Sequence, residues 1–126
     1  MTSLQYFDQK SVFLTGATGF LGKVFLEKLL RLKIDSLTRV YVLIRAKKVK
    51  QRNADGTSIE SLRQVDERLR LEIFESPIFD RLKEERGADV FARQFNEKVC
   101  AVSGQLGASV ALFVFFVDFF SIFITI

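Results

Sequence analysis

The sequence predicts an α/β fold on a parallel sheet, incomplete and equivalent to a first βαβαβ half, with an apolar C-terminal tail. Three observations carry this prediction: almost wholly apolar runs at 11–15 and 40–44, an amphipathic segment between them, and a third apolar run at 98–103. Strands covered on both faces read as near-continuous hydrophobic runs, and a helix that packs on them reads as an apolar stripe of period 3.6. At 126 residues the chain is one domain at most, and a complete doubly wound fold seldom fits in that length.

The first run, Ser11-Val12-Phe13-Leu14-Thr15, is β-branched and aromatic and is ended by Gly16, which marks a buried strand. From Phe20 to Leu32 the residues Leu21, Val24, Phe25, Leu29 and Leu32 recur at three- and four-residue intervals with Lys23, Glu27, Lys28 and Arg31 between them, so a helix packs there on the sheet. Val40-Tyr41-Val42-Leu43-Ile44 is the second strand, followed by a basic loop from Arg45 to Arg52. Thr57 and Glu60 stand in capping-box spacing and predict a second helix with Ile59, Leu62, Val65, Leu69 and Ile73 on one face, until Pro77 interrupts it. A shorter helix over 79–85, a break at Gly87, a stretch of mixed polarity to Asn96 and a third strand at Lys98–Ser103 complete the order.

Apolar content is 48% and charged content 27%, too apolar for a disordered chain. All 19 Lys and Arg lie at or before Lys98, and the only later charge is Asp118, so two compositions meet near Gly104. The expected division is residues 1–106, the α/β part that carries nearly all the charge, and 107–126, the apolar tail. A single cysteine, Cys100, excludes an intrachain disulfide and fits a reducing compartment. The absence of histidine excludes His-dependent triads and His-ligated zinc. Residues 1–9 lack the pattern of a signal peptide. The net charge of +4 comes from basic residues interspersed with acidic ones, which argues against nucleic acid as a partner.

The strongest motif is Thr15-Gly16-Ala17-Thr18-Gly19-Phe20-Leu21-Gly22, a Gly-x-x-Gly-x-x-Gly run between a strand and an amphipathic helix. Gly16 allows the tight turn, Gly19 lets the backbone approach a pyrophosphate, and Gly22 permits close helix–strand packing, as a Rossmann-type sheet requires. Free amides around Phe20 and Leu21, at a helix N-terminus, favour an anion without any charged side chain. Thr15, Gly16, Thr18, Gly19, Phe20, Leu21 and Gly22 are therefore the candidate cofactor-binding residues of the first turn.

Cofactor choice depends on the end of the second strand, where an Asp or Glu would accept the ribose 2′-hydroxyl of NAD. Arg45 stands there instead, with Lys47 and Lys48 after it. A guanidinium forms paired hydrogen bonds to a 2′-phosphate, so NADPH is the expected cofactor, with Arg45 and Lys48 as binding residues. For Lys47, Lys48, Lys50 and Arg52 a solvated basic loop is the plainer alternative. No catalytic or metal-binding residue is assigned. Tyr6-Phe7-Asp8-Gln9-Lys10 matches Tyr-x-x-x-Lys, yet it precedes the first strand, whereas chemistry in such sheets occurs at the carboxyl edge.

The run from Val12 to Lys28 strongly resembles the opening of fatty acyl-CoA reductases, and Tyr41-Val42-Leu43-Ile44-Arg45-Ala46-Lys47-Lys48 looks like their second strand. The likeness continues through Glu67-Arg68-Leu69, Phe79-Asp80-Arg81-Leu82, Lys98-Val99 and Ser103-Gly104, covering most of 7–106. It implies an extended short-chain dehydrogenase fold and NADPH-dependent reduction of a long-chain fatty acyl-CoA, through an aldehyde, to a primary alcohol. It also implies the cytosolic face of the peroxisome or endoplasmic reticulum membrane, and leaves membrane association and a homo-oligomer open. The sequence departs from the family pattern at Gln105, where an Asp would help position the adenine, and the family's Ser/Thr, Tyr and Lys catalytic residues have no counterpart here. The expected role is thus the cofactor-binding part alone. Alternatives are another extended short-chain dehydrogenase, acting as a reductase or epimerase, and a non-catalytic nucleotide-binding fragment.

From Val110 to Ile126 nearly every residue is Val, Leu, Ile, Phe or Ala. Three expectations compete: a fourth strand from part of 111–117 beside the first, a membrane helix over 110–126, and an aberrant terminus from a misread gene. The membrane helix falls short of the usual ~20 residues and carries Asp118. The aberrant terminus is preferred, because Phe, Val, Ile, Leu and Ser are what thymine-rich, intron-like sequence encodes.

Overall fold

Five consecutive buried residues, Ser11–Thr15, form β1, which lies inside a four-stranded parallel sheet in the computed structural model of the chain. The structure describes residues 5–104 and 122–125. After β1 come α1 (Phe20–Lys33) and β2 (Arg39–Ile44). An antiparallel hairpin of β3 (Lys47–Arg52) and β4 (Ser58–Arg63) follows. The chain then enters α2 (Val65–Arg68), which widens into a π-helical turn over Leu69–Phe74, and continues through α3 (Asp80–Arg86) and α4 (Ala88–Lys98). The last strands described are β5 (Val99–Ser103) and β6 (Ile122–Thr125).

The sheet runs β5-β2-β1-β6, with Val12 opposite both Val40 and Ile122, and Val40 opposite Val99. Counting only its own strands, the order is 3-2-1-4, the Rossmann arrangement. The fold is therefore the α/β type expected, with β1 at the point where strand order reverses. Buried Leu26, Leu29 and Leu30 of α1 join Val12, Leu14, Val40 and Val42 of the sheet in one apolar cluster. That cluster extends to Ile73, Phe79, Leu82, Phe91 and Phe95, where Phe91 and Phe95 contact the rings of Phe74 and Phe79 at centroid distances of 5.0–6.1 Å. Offset and tilted aromatic pairs at such distances add to simple area burial.

The structure departs from expectation in three regions. The helix predicted from Thr57 starts only at Val65, and the basic loop 45–52 is largely a strand. The Thr57 side chain donates to Asp55 Oδ1 at 2.6 Å, and its backbone N–H reaches the same oxygen at 3.0 Å. Its carbonyl accepts from Asn53 N–H at 2.7 Å, and Gly56 takes φ +87°. These bonds close a hairpin turn and leave no hydroxyl to cap a helix; Asp55-Gly56 is the sequence signal for that turn. Ile59, assigned to a helix face, is 56% exposed on β4, whereas Leu69 and Ile73 are buried as expected.

The second correction is α4: the break at Gly87 is present as expected, but the stretch of mixed polarity that follows it is a regular helix. Its buried residues Phe91 and Phe95 lie four apart, a helical period. The third concerns the tail: 122–125 are a strand beside β1, later in sequence than the strand considered at 111–117, which lies outside the described residues. Residues 110–121 and 126 of the alternative membrane helix also lie outside them. Among the described residues no helix is long and apolar enough to cross a membrane.

Candidate functional site

The glycine loop leaves the carboxyl end of β1 and enters α1 with little room to spare. Gly16 has φ +78°, a conformation that favours glycine. A Cβ on Gly22 would lie 2.2 Å from the Gly16 carbonyl oxygen and 2.7 Å from the Ala17 Cα, so α1 approaches the loop as only glycine permits. On Gly19 a Cβ would meet only the Gly16 oxygen, at 3.4 Å, an ordinary contact. The chain itself thus needs Gly16 and Gly22, while the bareness of Gly19 leaves the outer face of the loop open.

Gly19 caps α1 with extended backbone and no side-chain hydrogen bond, and no acidic residue occupies the first turn. Its own N–H donates to Gly16 O at 3.1 Å, and the first helical bond runs from Lys23 N–H to Gly19 O at 3.1 Å. The N–H groups of Phe20, Leu21 and Gly22 precede that bond and have no intrahelical acceptor, the arrangement that binds anions. Phe20 and Leu21 are 81% and 64% exposed, so their side chains border the loop rather than the core. Thr15 is buried, and its hydroxyl oxygen has no hydrogen-bond partner among the described residues. Thr18 is half-buried.

Beside the loop, β2 ends at Ile44 and hands over to exposed Arg45. A cleft of about 480 Å³ opens there, lined by Arg45, Ala46, Lys47, Arg68, Ser103 and Gly104, with no carboxylate among these residues. Gly104 N–H donates to Ile44 O at 3.1 Å, which ties the β5 end to the β2 end. Strands in a sheet stand ~4.8 Å apart, so this cleft neighbours the carboxyl end of β1. Lys48 does not line the cleft; successive strand residues face opposite sides, and Lys47 occupies the inward position.

Arg68 was not foreseen as part of the site. Its Nη1 donates to the Arg45 carbonyl at 2.6 Å, while Nε and Nη2 grip the two Glu72 oxygens at 2.6 and 3.1 Å. The Glu72 carboxylate raises the Arg68 pKa further above its ordinary value, despite an opposing effect of burial. The i, i+4 spacing of Arg68 and Glu72 was a visible signal; what it served depended on where the helix begins.

Tyr6 and Lys10 flank the opposite, amino end of β1. Tyr6 is 51% exposed, and the Lys10 ammonium lies over its ring at 5.2 Å from the centroid. Among the described residues no group of three His, Cys, Asp or Glu could hold a metal. A second cavity, about 450 Å³, lies away from the loop between Leu69, Phe74, Phe95 and the β5 residues Val99 to Ala101.

Residues 14–110 match the family described as male sterility protein, an NAD-binding family. Fatty acyl-CoA reductase 1 of Mus musculus is 40% identical over 102 residues, which are 81% of this chain and 16% of that protein. The Homo sapiens protein of the same name is 39% identical over the same shares. Fatty acyl-CoA reductase 8 of Arabidopsis thaliana is 33% identical over 103 residues, 82% of this chain and 18% of that protein. The chain thus matches less than a fifth of the length of these curated relatives.

Proposed function

From a chain that belongs to the male sterility protein family, and so to the relatives of fatty acyl-CoA reductases, we propose a role as the part that holds NADPH for reduction of long-chain fatty acyl-CoA. The observation that carries this reading is the uncapped N-terminus of α1 behind a loop that admits no Cβ at Gly22. A pyrophosphate fits such a cradle: the N–H groups of Phe20, Leu21 and Gly22 point outward at the positive end of the helix dipole. The unpartnered Thr15 hydroxyl lies at the root of the same loop. Arg45 and Lys47 line the neighbouring cleft, where cations rather than an Asp or Glu suit a 2′-phosphate.

Reduction of the thioester to aldehyde with release of CoA, and of the aldehyde to a primary alcohol, would take one hydride each from two NADPH molecules bound in succession, with a proton taken up at each step. The described residues contribute binding and orientation to that chemistry. Tyr6 and Lys10 stand at the wrong end of the sheet to donate a proton, and Tyr41, the only other tyrosine, lies within β2.

Calorimetric titration of the chain with NADPH and NADH tests the proposal. Saturable binding that favours NADPH is the expected result. A preference for NADH would overturn the cofactor assignment, and binding of neither would overturn the reading as a cofactor site.

A further inference from the structure

The guanidinium of Arg68 lies in the wall of the cationic cleft, yet its hydrogen bonds run elsewhere: to the Glu72 carboxylate and to the backbone carbonyl of Arg45. We infer that Arg68, oriented by Glu72, is a positioning residue that fixes the Arg45 peptide and thereby sets the preference for a 2′-phosphorylated ribose. This role rests on the NADPH reading given above.

Three features carry the inference. A carbonyl oxygen at the mouth of an anion cleft carries partial negative charge that would oppose a phosphate; a charged donor at 2.6 Å both occupies that oxygen and offsets its charge. The Arg68 and Glu72 side chains are only 12% and 22% exposed and meet through two bonds, so the fork has one favoured orientation. Finally, Arg45 follows the last residue of β2 and lies outside its register with β5, so among the described residues the link from α2, 23 residues later, is what holds its carbonyl.

A direct role for Arg68 as a phosphate ligand makes the opposite prediction for Glu72. With the carboxylate lost, Glu72→Gln frees a guanidinium to swing into the cleft. A direct ligand would then bind phosphate more tightly. A positioning residue would hold Arg45 less firmly, and selectivity would fall.

The test is calorimetric titration of the full chain and its variants with 2′,5′-ADP and 5′-AMP, which differ at the ribose phosphate, with thermal melting run in parallel. Arg68→Lys keeps the charge but cannot bridge both partners, and is expected to reduce the 2′,5′-ADP preference about fivefold to tenfold while 5′-AMP affinity holds. Glu72→Gln is expected to shift the ratio in the same direction. An unchanged ratio in both variants, or a raised ratio in Glu72→Gln, overturns the inference while leaving the NADPH reading intact. Wild-type chain that binds both ligands equally overturns that reading and this role together.

Discussion

Gly22 of α1 faces the carbonyl of Gly16 so closely that a Cβ at position 22 would lie 2.2 Å from that oxygen. Gly19, three residues earlier, has no comparable obstruction, and the two glycines separate what folding needs from what a ligand needs. Gly22→Ala is expected to destabilise the chain by about 1–3 kcal/mol through overpacking, read as a lower urea midpoint. Gly19→Ala is expected to keep the wild-type midpoint and to weaken NADPH by tenfold or more, because the added methyl faces the pyrophosphate path. A Gly19→Ala chain that binds normally would remove the loop from the site.

Arg45→Ala is expected to weaken NADPH binding by about 10- to 100-fold, the loss of a charged hydrogen-bonding pair, and to leave NADH binding nearly unchanged. Equal losses for both cofactors, measured by calorimetry, would show that Arg45 does not read the 2′-phosphate.

Acid sensitivity has a local source at the N-terminal end of the sheet. Asp8 accepts from Lys33 and from Ser36, and these bonds hold its carboxyl below the ordinary aspartate value. A depressed folded pKa contributes stability that is fully present above the unfolded value, about 3.9, and is lost as pH falls through the folded value. Urea midpoints measured from pH 5 downward should therefore fall more steeply in wild type than in Asp8→Asn. Parallel curves would mean that the pair contributes nothing, as is common for exposed ion pairs.

The hairpin of β3 and β4 is paired with itself and belongs to neither edge of the parallel sheet. Gly56→Ala forces alanine toward φ +87° at its turn and is expected to cost roughly 1–2 kcal/mol locally. Hydrogen exchange should accelerate at Lys50 to Thr57 while amides of β1 and β2 keep their protection. Uniform acceleration across both would show that hairpin and sheet unfold as one unit.

Those elements whose residues are buried by the sheet were legible in the sequence. Val12 to Leu14 and Val40 to Ile44 announce themselves because burial in a parallel sheet leaves a nearly continuous apolar trace; α1 was legible as a helix, but its buried face is Leu26, Leu29 and Leu30, while Leu21 and Leu32 of the expected stripe are exposed. The hairpin left no such trace: Lys47, Lys48, Lys50, Gln51 and Arg52 are all exposed, so neither alternation nor a buried face marked the strand. Thr57 and Glu60 fit a capping box by spacing alone, and only the bonds to Asp55 decide against it. The glycine loop was legible because backbone geometry dictates residue type there. Arg68 was not, since its meeting with Arg45 depends on a hairpin that returns the chain to the end of β2 before the helix starts at Val65.

The two neighbours of β1 reach it at very different times. Its partner β2 follows within about thirty residues, whereas β6 pairs residue 122 with residue 12. On the ribosome the strand that ends in the glycine loop therefore waits through nearly the whole of this sequence with one ladder edge open. Pairings so distant along the chain are slow to close, and an unfilled strand edge is what a chaperone, or another nascent chain, would meet first.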